Sequence, residues 1–207
     1  MTSYDRSKRA LDIIGSSIGL IASAPIQLAV AVVVRACLGA PVLFRQQRPG
    51  RSGAMFSLVK FRTMQPVDEA RQQIDDAERM TRVGEVLRAT SLDELPSLWN
   101  VLVGDMSFVG PRPLLPEYLD LYTPEQARRH EVRPGITGLA QVAGRNRVCW
   151  DDRFALDVEY VERRSLRLDA AILARTVATV LSGTGVSSAH HVTVERFRGS
   201  SAMEEMT

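Results

Sequence analysis

The longest run of apolar positions in the chain covers residues 13–34, which carry no charged side chain. A helix that crosses a bilayer needs about 20 such residues, so the run is long enough to cross once. Pro25 lies near its middle, where it removes a backbone donor and clashes with the preceding turn. The pattern predicts a membrane segment bent at Ser23 to Pro25, with two arms of about 11 to 12 residues that each reach roughly mid-bilayer.

The charges that flank this run bear on its topology, because Lys and Arg tend to stay on the cytoplasmic side of a membrane. They stand on both sides of the run: Arg6, Lys8, Arg9, Arg35, Arg45 and Arg48. A re-entrant segment with both ends in the cytoplasm agrees with both flanks, and a Pro-kinked spanning helix is the alternative. A cleaved secretory signal is opposed by Asp12 at the start of the run and by apolar character that continues to Val34.

Beyond the apolar run, shorter patterns predict a hairpin and several helices. In residues 42–64, apolar strand-like pieces flank a Pro49-Gly50 turn and a break at Gly53, which predicts a short β-hairpin. Residues 66–90 have helical spacing in a charged stretch and predict a solvated helix followed by a second one. Residues 151–183, which follow Trp150, predict two amphipathic helices, either packed in the core or lying on the membrane surface.

Composition narrows the classes of function. A chain of 207 residues has room for one core, and its net charge of +2 is too small to indicate nucleic-acid binding. Cys37 and Cys149 have neither C-x-x-C nor metal-type spacing, which fits a reducing compartment and excludes a disulfide framework. His130, His190 and His191 form no H-E-x-x-H pattern, so the sequence gives no support for zinc catalysis.

Candidate catalytic residues are densest in residues 88–100, RATSLDELPSLWN. Ser91 to Glu94 fits the capping-box pattern, so one interpretation makes Glu94 a helix cap and Asp93 an anion on the helix dipole. The other interpretation makes the two carboxylates a catalytic pair. Neighbouring helical positions point about 100° apart, so such a pair would address one site from different directions, with different roles.

A series of motifs runs through nearly the whole chain. They are K-R-x-x-D at Lys8, Arg9 and Asp12, RPG at 48–50, KFRTM at 60–64, SLDELP at 91–96, GDMSFVGPRP at 104–113 and RPGITG at 133–138. In this order they closely resemble the small polyprenyl-phosphate phosphoglycosyl transferases, also called the bacterial sugar transferase family. Two positions depart from the family pattern. Ala24 precedes Pro25 where Ser is frequent, which weakens the polar contribution to the bend, and Leu139 stands where Trp is frequent, which affects local packing.

The resemblance implies an α/β, mostly α, monotopic membrane protein on the cytoplasmic face of the inner membrane. Residues 1–40 would hold a re-entrant membrane helix with its break at Ser23 and Pro25. Residues 41–207 would form a cytoplasmic catalytic domain with a small β-hairpin and amphipathic interfacial helices. The implied reaction moves a sugar 1-phosphate from a UDP-sugar to undecaprenyl phosphate with release of UMP, as the first membrane step of glycoconjugate assembly.

The resemblance also implies roles for particular residues. Asp93 would attack the β-phosphorus, and Glu94 would hold Mg²⁺ or manage protons. Mg²⁺ suits carboxylate and phosphate oxygens, so Asp93 and Glu94 are the expected ligands. A diphosphate and a carboxylate repel one another, so cations are needed to neutralise charge. The basic side chains expected to bind phosphate or nucleotide are Lys60, Arg88, Arg112, Arg133 and Arg145.

Residues 185–199 and the compact size look most like family members that transfer N,N′-diacetylbacillosamine phosphate in bacterial protein glycosylation. A UDP-linked N-acetylated amino sugar is therefore the expected donor, with downstream glycosyltransferases as candidate partners. His190 and His191 in this segment either contact substrate or are ordinary loop residues. Two other classes of function stay open: a metal-dependent hydrolase of nucleotide-diphosphate sugars, and a catalytically silent membrane-bound scaffold.

Overall fold

The computed structural model describes residues 3–66, 76–144, 148–182 and 197–199. Its first helix, α1, covers Ser3–Cys37 and is about 52 Å long at 1.5 Å per residue. The helix continues through Pro25, and the bend expected there stays a prediction. Side-chain hydrogen bonds add to the helix around Pro25. Ser23 Oγ donates to Gly19 O at 2.5 Å, and Gln27 Nε2 donates to Ser23 Oγ at 2.9 Å.

The first half of α1 is held to the rest of the chain by polar contacts. The buried Asp12 accepts a hydrogen bond of 3.0 Å from Ser107 Oγ. Arg9 donates to the carbonyls of Val101 and Leu102 at 2.6 and 2.7 Å, where a cation stabilises the C-terminal end of a later helix. Arg9 and Asp12, which belong to the K-R-x-x-D motif, therefore anchor α1.

The last turns of α1 are held by apolar contacts. Val30, Val34 and Leu38 form a core cluster with Phe61 and Leu87. Between these two contact regions, residues 21–29 are exposed or half-buried. By length and composition, α1 is able to cross a membrane. Both of its ends nevertheless lie against the same body of protein, and the stretch between them does not.

The predicted hairpin is confirmed. Strands β1, Leu43–Pro49, and β2, Met55–Phe61, pair antiparallel with Leu43 opposite Phe61. A short 3₁₀ turn, Arg51–Gly53, joins them, and Gly53 takes a positive φ of 75° that glycine adopts without strain.

Side chains complete the edge of β2 that faces away from β1. Asn100 Oδ1 accepts from Val59 N at 3.1 Å, and Asn100 Nδ2 donates to Ser57 O at 2.8 Å. Ser97 Oγ donates to Val59 O at 2.8 Å. These two residues belong to a 3₁₀ helix, Leu92–Ser97, and the α4 helix that follows it, Leu98–Val103. They bind the hairpin edge as a third strand would, and thereby fix the segment that carries Asp93 and Glu94.

The remaining elements follow the predicted pattern in part. Within residues 66–90 the structure has α2, Asp76–Arg79, and α3, Arg82–Ala89, while residues 67–75 lie outside the described residues. A parallel pair of short strands, β3 and β4, was not predicted. The elements after α4 are β3 (Ser107–Val109), a 3₁₀ helix (Pro116–Leu121), α5 (Pro124–Ala127), a second 3₁₀ helix (Arg128–Glu131), β4 (Gly135–Thr137), α6 (Leu139–Gly144), α7 (Trp150–Arg163) and α8 (Leu166–Ser182).

The two predicted amphipathic helices are confirmed as α7 and α8. Helix α7 packs in the core through a face that includes Phe154 and Val161. Helix α8 leaves Leu173 and Val177 exposed, although it buries Ile172 on its other side. A position of α8 at the membrane surface stays a prediction, as does the domain boundary between residues 40 and 41.

Candidate active site

The 3₁₀ helix Leu92–Ser97 positions both candidate carboxylates. It begins after Ser91, which has a left-handed φ of 57° and makes no capping hydrogen bond with its side chain. The interpretation of Ser91 and Glu94 as a capping box is therefore wrong, because Glu94 turns away toward the hairpin. Leu92 and Leu95 pack against the core cluster at the end of α1, which leaves Asp93 and Glu94 for the site.

Glu94 is paired with two cations through one oxygen. Lys60 Nζ lies 2.5 Å from Glu94 Oε1, and Arg112 Nη2 lies 3.1 Å from the same atom. Burial alone would raise the pKa of Glu94, but attraction to Lys60 and Arg112 outweighs it and lowers the pKa to about 2. Burial lowers the pKa of Lys60, and Glu94 opposes that effect. Glu94 is therefore a carboxylate at any physiological pH.

Asp93 has the opposite environment. It is only 8% exposed, and its carboxylate receives no hydrogen bond from any residue that the structure describes. Burial raises its pKa, repulsion from Glu94 raises it further, and the charges of Lys60, Arg88 and Arg112 partly offset both effects. An anion that lacks hydrogen bonds and is poorly solvated is more reactive toward phosphorus than one that is fully paired.

A buried ion pair holds the backbone that carries Arg112. Arg129 Nη2 donates to Arg112 O at 2.7 Å and to Asp157 Oδ2 at 2.8 Å, and both side chains of this pair are almost completely buried. Arg129 also donates to Tyr122 Oη at 3.1 Å. The guanidinium of Arg112 itself is 46% exposed, so it is able to move toward a ligand while its backbone stays fixed.

The other predicted basic residues are distributed differently. Arg88 donates to Thr63 Oγ1 at 3.1 Å, and its charge reaches Asp93. Arg133 donates instead to Gly104 O at 2.8 Å, beyond the end of α4 that lies away from Asp93. The structure thus brings Lys60, Arg88 and Arg112 together at the carboxylates and does not place Arg133 with them. Arg145 lies outside the described residues.

Several residues that support the site were not predicted from the sequence. Asn100 and Arg129 form hydrogen bonds to distant backbone, and Asp157 pairs with the side chain of Arg129. No local pattern marks such residues. The sequence singled out Arg48 only as a flanking charge of the apolar run and as part of the RPG motif. Burial and repulsion from Arg112 lower its pKa to about 10, which places a further cation near the site.

The carboxylate oxygens of Asp93 and Glu94 are suitable ligands for a magnesium ion. Asp93 has no competing hydrogen bond in the described part of the chain, and Glu94 uses only Oε1 for its cations, which leaves Oε2 free. Mg²⁺ is commonly held by one or two carboxylates together with substrate phosphates. Among the described residues no group of three or more His, Cys, Asp or Glu is suited to hold a metal, so such an ion would depend on the substrate for further ligands.

A long apolar helix beside a carboxylate pair surrounded by cations defines a membrane-associated enzyme that acts on phosphates. Residues 3–183 match the family described as bacterial sugar transferase, and the chain belongs to that family. This confirms the resemblance derived from the motifs, and with it the class of polyprenyl-phosphate sugar-1-phosphate transferases.

Individual relatives cover most of the chain. The uncharacterized sugar transferase EpsL of Bacillus subtilis (strain 168) is 50% identical over 194 residues, which are 93% of this chain and 96% of that protein. The UDP-glucose:undecaprenyl-phosphate glucose-1-phosphate transferase of Caulobacter vibrioides is 43% identical over 86% of this chain and 71% of that protein. The undecaprenyl-phosphate galactose phosphotransferase of Salmonella typhimurium is 39% identical over 86% of this chain and 41% of that longer protein.

Proposed function

We propose that this protein transfers a sugar 1-phosphate from a UDP-sugar to undecaprenyl phosphate, with release of UMP, through a covalent intermediate on Asp93. The observation that carries the proposal is the contrast between two adjacent carboxylates. Glu94 is neutralised by Lys60 and Arg112, whereas Asp93 is buried and has no hydrogen bond within the described residues. Two carboxylates with a purely structural role would not require this difference in ion pairing and hydrogen bonding.

The proposed reaction has two displacements at one phosphorus atom. In the first, an oxygen of Asp93 attacks the β-phosphorus of the UDP-sugar, and the bond from that phosphorus to the bridging oxygen breaks, so UMP leaves with the electron pair. In the second, a phosphate oxygen of undecaprenyl phosphate attacks the same phosphorus, and the bond to Asp93 breaks. The carboxylate is regenerated, and the product is a polyprenyl diphosphate sugar.

The cations around the pair suit the charge that develops in these steps. Arg112 is half-exposed and bound to Glu94 by one nitrogen, so its other donors are available to non-bridging phosphate oxygens. Glu94 holds Lys60 and Arg112 together near Asp93, and Arg88 adds further positive charge there. Bound Mg²⁺ would neutralise phosphate charge, with Asp93 and Glu94 as its protein ligands.

Attachment to the cytoplasmic face of the inner membrane by a re-entrant α1 is part of the proposal. It is supported by the packing of both ends of α1 on one protein body, with exposed apolar residues such as Ile21 and Leu28 between them. A helix that spanned the bilayer would separate its two ends by the membrane thickness, about 30 Å of hydrocarbon. One protein body on one side of the membrane would then not contact both ends.

The identity of the transferred sugar is the most specific part of the proposal. Two of the three relatives described above are named for glucose and galactose. The segment behind the preference for N,N′-diacetylbacillosamine, residues 185–199, lies almost wholly outside the described residues. We keep the UDP-linked diacetylated amino sugar as the first donor to test. Strong turnover with UDP-glucose or UDP-galactose alone would overturn this choice and leave the reaction class intact.

The test is a UMP-release assay over a panel of UDP-sugars, with Mg²⁺ and with or without undecaprenyl phosphate. Sustained UMP release that requires the lipid supports transfer, whereas sustained release without it would indicate a hydrolase, and none with any donor would leave a scaffold. Mass spectrometry of protein quenched without the lipid should find one phospho-sugar on Asp93. Its absence, together with UMP release that requires both substrates bound, would reject the covalent route.

A further inference from the structure

A surface groove lies beside the C-terminal end of α1, at the start of the β-hairpin. It has a volume of about 640 Å³ and is lined by Pro41, Val42, Leu43, Phe44, Arg45 and Arg62. Most of its lining is apolar, and Leu43 and Phe44 are 37% and 44% exposed. Apolar side chains in a groove of this size call for an apolar ligand or for lipid.

One end of the groove is attached to α1. Arg62 Nη2 donates to the carbonyls of Leu38 and Gly39, and Arg62 Nη1 donates to Ala40 O at 3.2 Å. These carbonyls immediately follow the last turn of α1, whose Val34 packs on the core. The groove therefore begins where the chain leaves the apolar helix.

One lining residue of the groove, Phe44, has a residue of the active site as its cross-strand neighbour. Phe44 of β1 stands directly opposite Lys60 of β2, and opposite residues of an antiparallel pair point to the same face with Cβ atoms about 5 Å apart. Lys60 in turn binds Glu94, the neighbour of Asp93. The strand rises about 3.3 Å per residue, so the two steps from Leu43 to Arg45 span about 7 Å.

We propose that this groove binds the first isoprene units of the lipid phosphate acceptor, with Phe44 as the main contact. The inference rests on the proposed function, because that function supplies a lipid phosphate as the second substrate. An acceptor whose phosphate lies beside Lys60 places its adjoining hydrocarbon over Phe44, and the rest of its chain follows the groove toward the membrane at the end of α1. Arg45, at the exposed rim, adds a positive charge that favours an anionic lipid.

The experiment compares Phe44→Ala with Met55→Ala in the full-length protein in detergent. Met55 is equally exposed, at 48%, but it lies at the far end of the hairpin and does not line the groove. Phe44→Ala should raise the KM for undecaprenyl phosphate about tenfold, because the variant loses the burial of an aromatic side chain against hydrocarbon. It should leave the KM for the UDP-sugar unchanged. Met55→Ala should change neither KM, and circular dichroism with thermal melting should show both variants folded.

Two further measurements distinguish acceptor binding in the groove from general membrane contact and from binding along α4. Binding to vesicles of phosphatidylethanolamine and phosphatidylglycerol should be the same for Phe44→Ala and wild type, and an equal loss of vesicle binding and acceptor affinity would overturn the proposal in favour of general membrane contact. Trp99 is an exposed aromatic residue on α4. A rise in acceptor KM confined to Trp99→Ala would place the chain along α4 and overturn the groove. Lack of any transfer by wild type would instead reject the proposed function.

Discussion

Lys60 Nζ lies 2.5 Å from Glu94 Oε1, and this contact joins the β-hairpin to the 3₁₀ helix across 34 residues of sequence. Its consequence is that one of two adjacent carboxylates is neutralised while the other is not. Asp93 is left buried, with a raised pKa and with no hydrogen bond in the described ranges. The difference in ion pairing between the two carboxylates thus comes from Lys60 of the hairpin and from Arg112.

Replacement of Asp93 by Asn should lower turnover at least about 10³-fold, because the amide keeps the size of the side chain but is not a nucleophile. The melting temperature should not fall, since the carboxylate makes no hydrogen bond among the described residues that the amide would lose. Glu94→Gln should also impair turnover, but it should lower the melting temperature because Lys60 and Arg112 lose their anion. UMP release and thermal melting test both. Substantial activity in Asp93→Asn would reject Asp93 as the nucleophile.

The loss of activity at acidic pH should follow the protonation of Asp93. Attack requires the carboxylate, so kcat/KM should fall as the pH drops through its pKa, which burial raises above the ordinary value of 3.8. Lys60→Met removes a charge that lowers this pKa, so the residual activity of the variant should be lost at a still higher pH. Lys60→Arg, which keeps the charge, serves as the control and should move the midpoint little. A midpoint that shifts to lower pH in Lys60→Met would contradict the assignment.

Arg129→Lys tests whether the buried ion pair positions Arg112. Lysine keeps a charge for Asp157 but cannot also hold Tyr122 and the Arg112 carbonyl in the same geometry. We expect kcat/KM to fall about tenfold or more, because small displacements of a group that binds the transferred phosphate are costly. Restored activity at high UDP-sugar concentration would place the defect in binding.

The neighbouring Arg128 provides the matched control for this variant. It forms its ion pairs with Glu125, Glu131 and Glu162 at the surface, so Arg128→Lys should behave as wild type. Equal losses of activity in both variants would show that the buried pair has no special role. Arg129→Ala is less informative, because it leaves Asp157 buried and unpaired and should destabilise the fold by about 3–5 kcal/mol.

Asn100→Leu should destabilise the protein by about 2–4 kcal/mol, because the backbone groups of Ser57 and Val59 lose their partners. In a chain of this size that corresponds to a fall in melting temperature of about 4–16 °C. Gln47→Leu, on the exposed side of the hairpin, should change the melting temperature far less. Equal effects in the two variants would mean that Asn100 does not support the edge of β2.

The topology of α1 can be tested at both of its ends with one reagent. Cys37 is exposed at the C-terminal end and serves as its own label site once Cys149 is replaced by Ser. Ser3→Cys, in a background without Cys37 and Cys149, reports the N-terminal end. A membrane-impermeant maleimide added to intact cells should label neither site, and both should react after lysis. Labelling of one end from outside would establish a spanning helix, whereas Pro25→Leu should shift the protein toward that state.

Patterns along the chain predicted the elements that depend on local spacing. The apolar run of residues 13–34, the turn between β1 and β2 and the 3.6-residue periods of α7 and α8 are properties of neighbouring residues, and the structure contains all of them. The motif set also identified Asp93 and Glu94 and the family. The sequence left open whether Pro25 kinks or breaks α1. The helix continues there, because proline removes only one hydrogen bond and its neighbours in the helix keep theirs.

Contacts between distant segments decided how the site works. The sequence alone permitted a capping box at Ser91, but the left-handed backbone there and the approach of Lys60 and Arg112 turn Glu94 toward the hairpin. It also grouped Arg133 with the phosphate-binding residues, whereas packing places Arg133 at Gly104. Motif spacing thus determined which residues are candidates. Which of them interact electrostatically was decided by the tertiary structure, because burial and ion pairing depend on distances that local sequence does not encode.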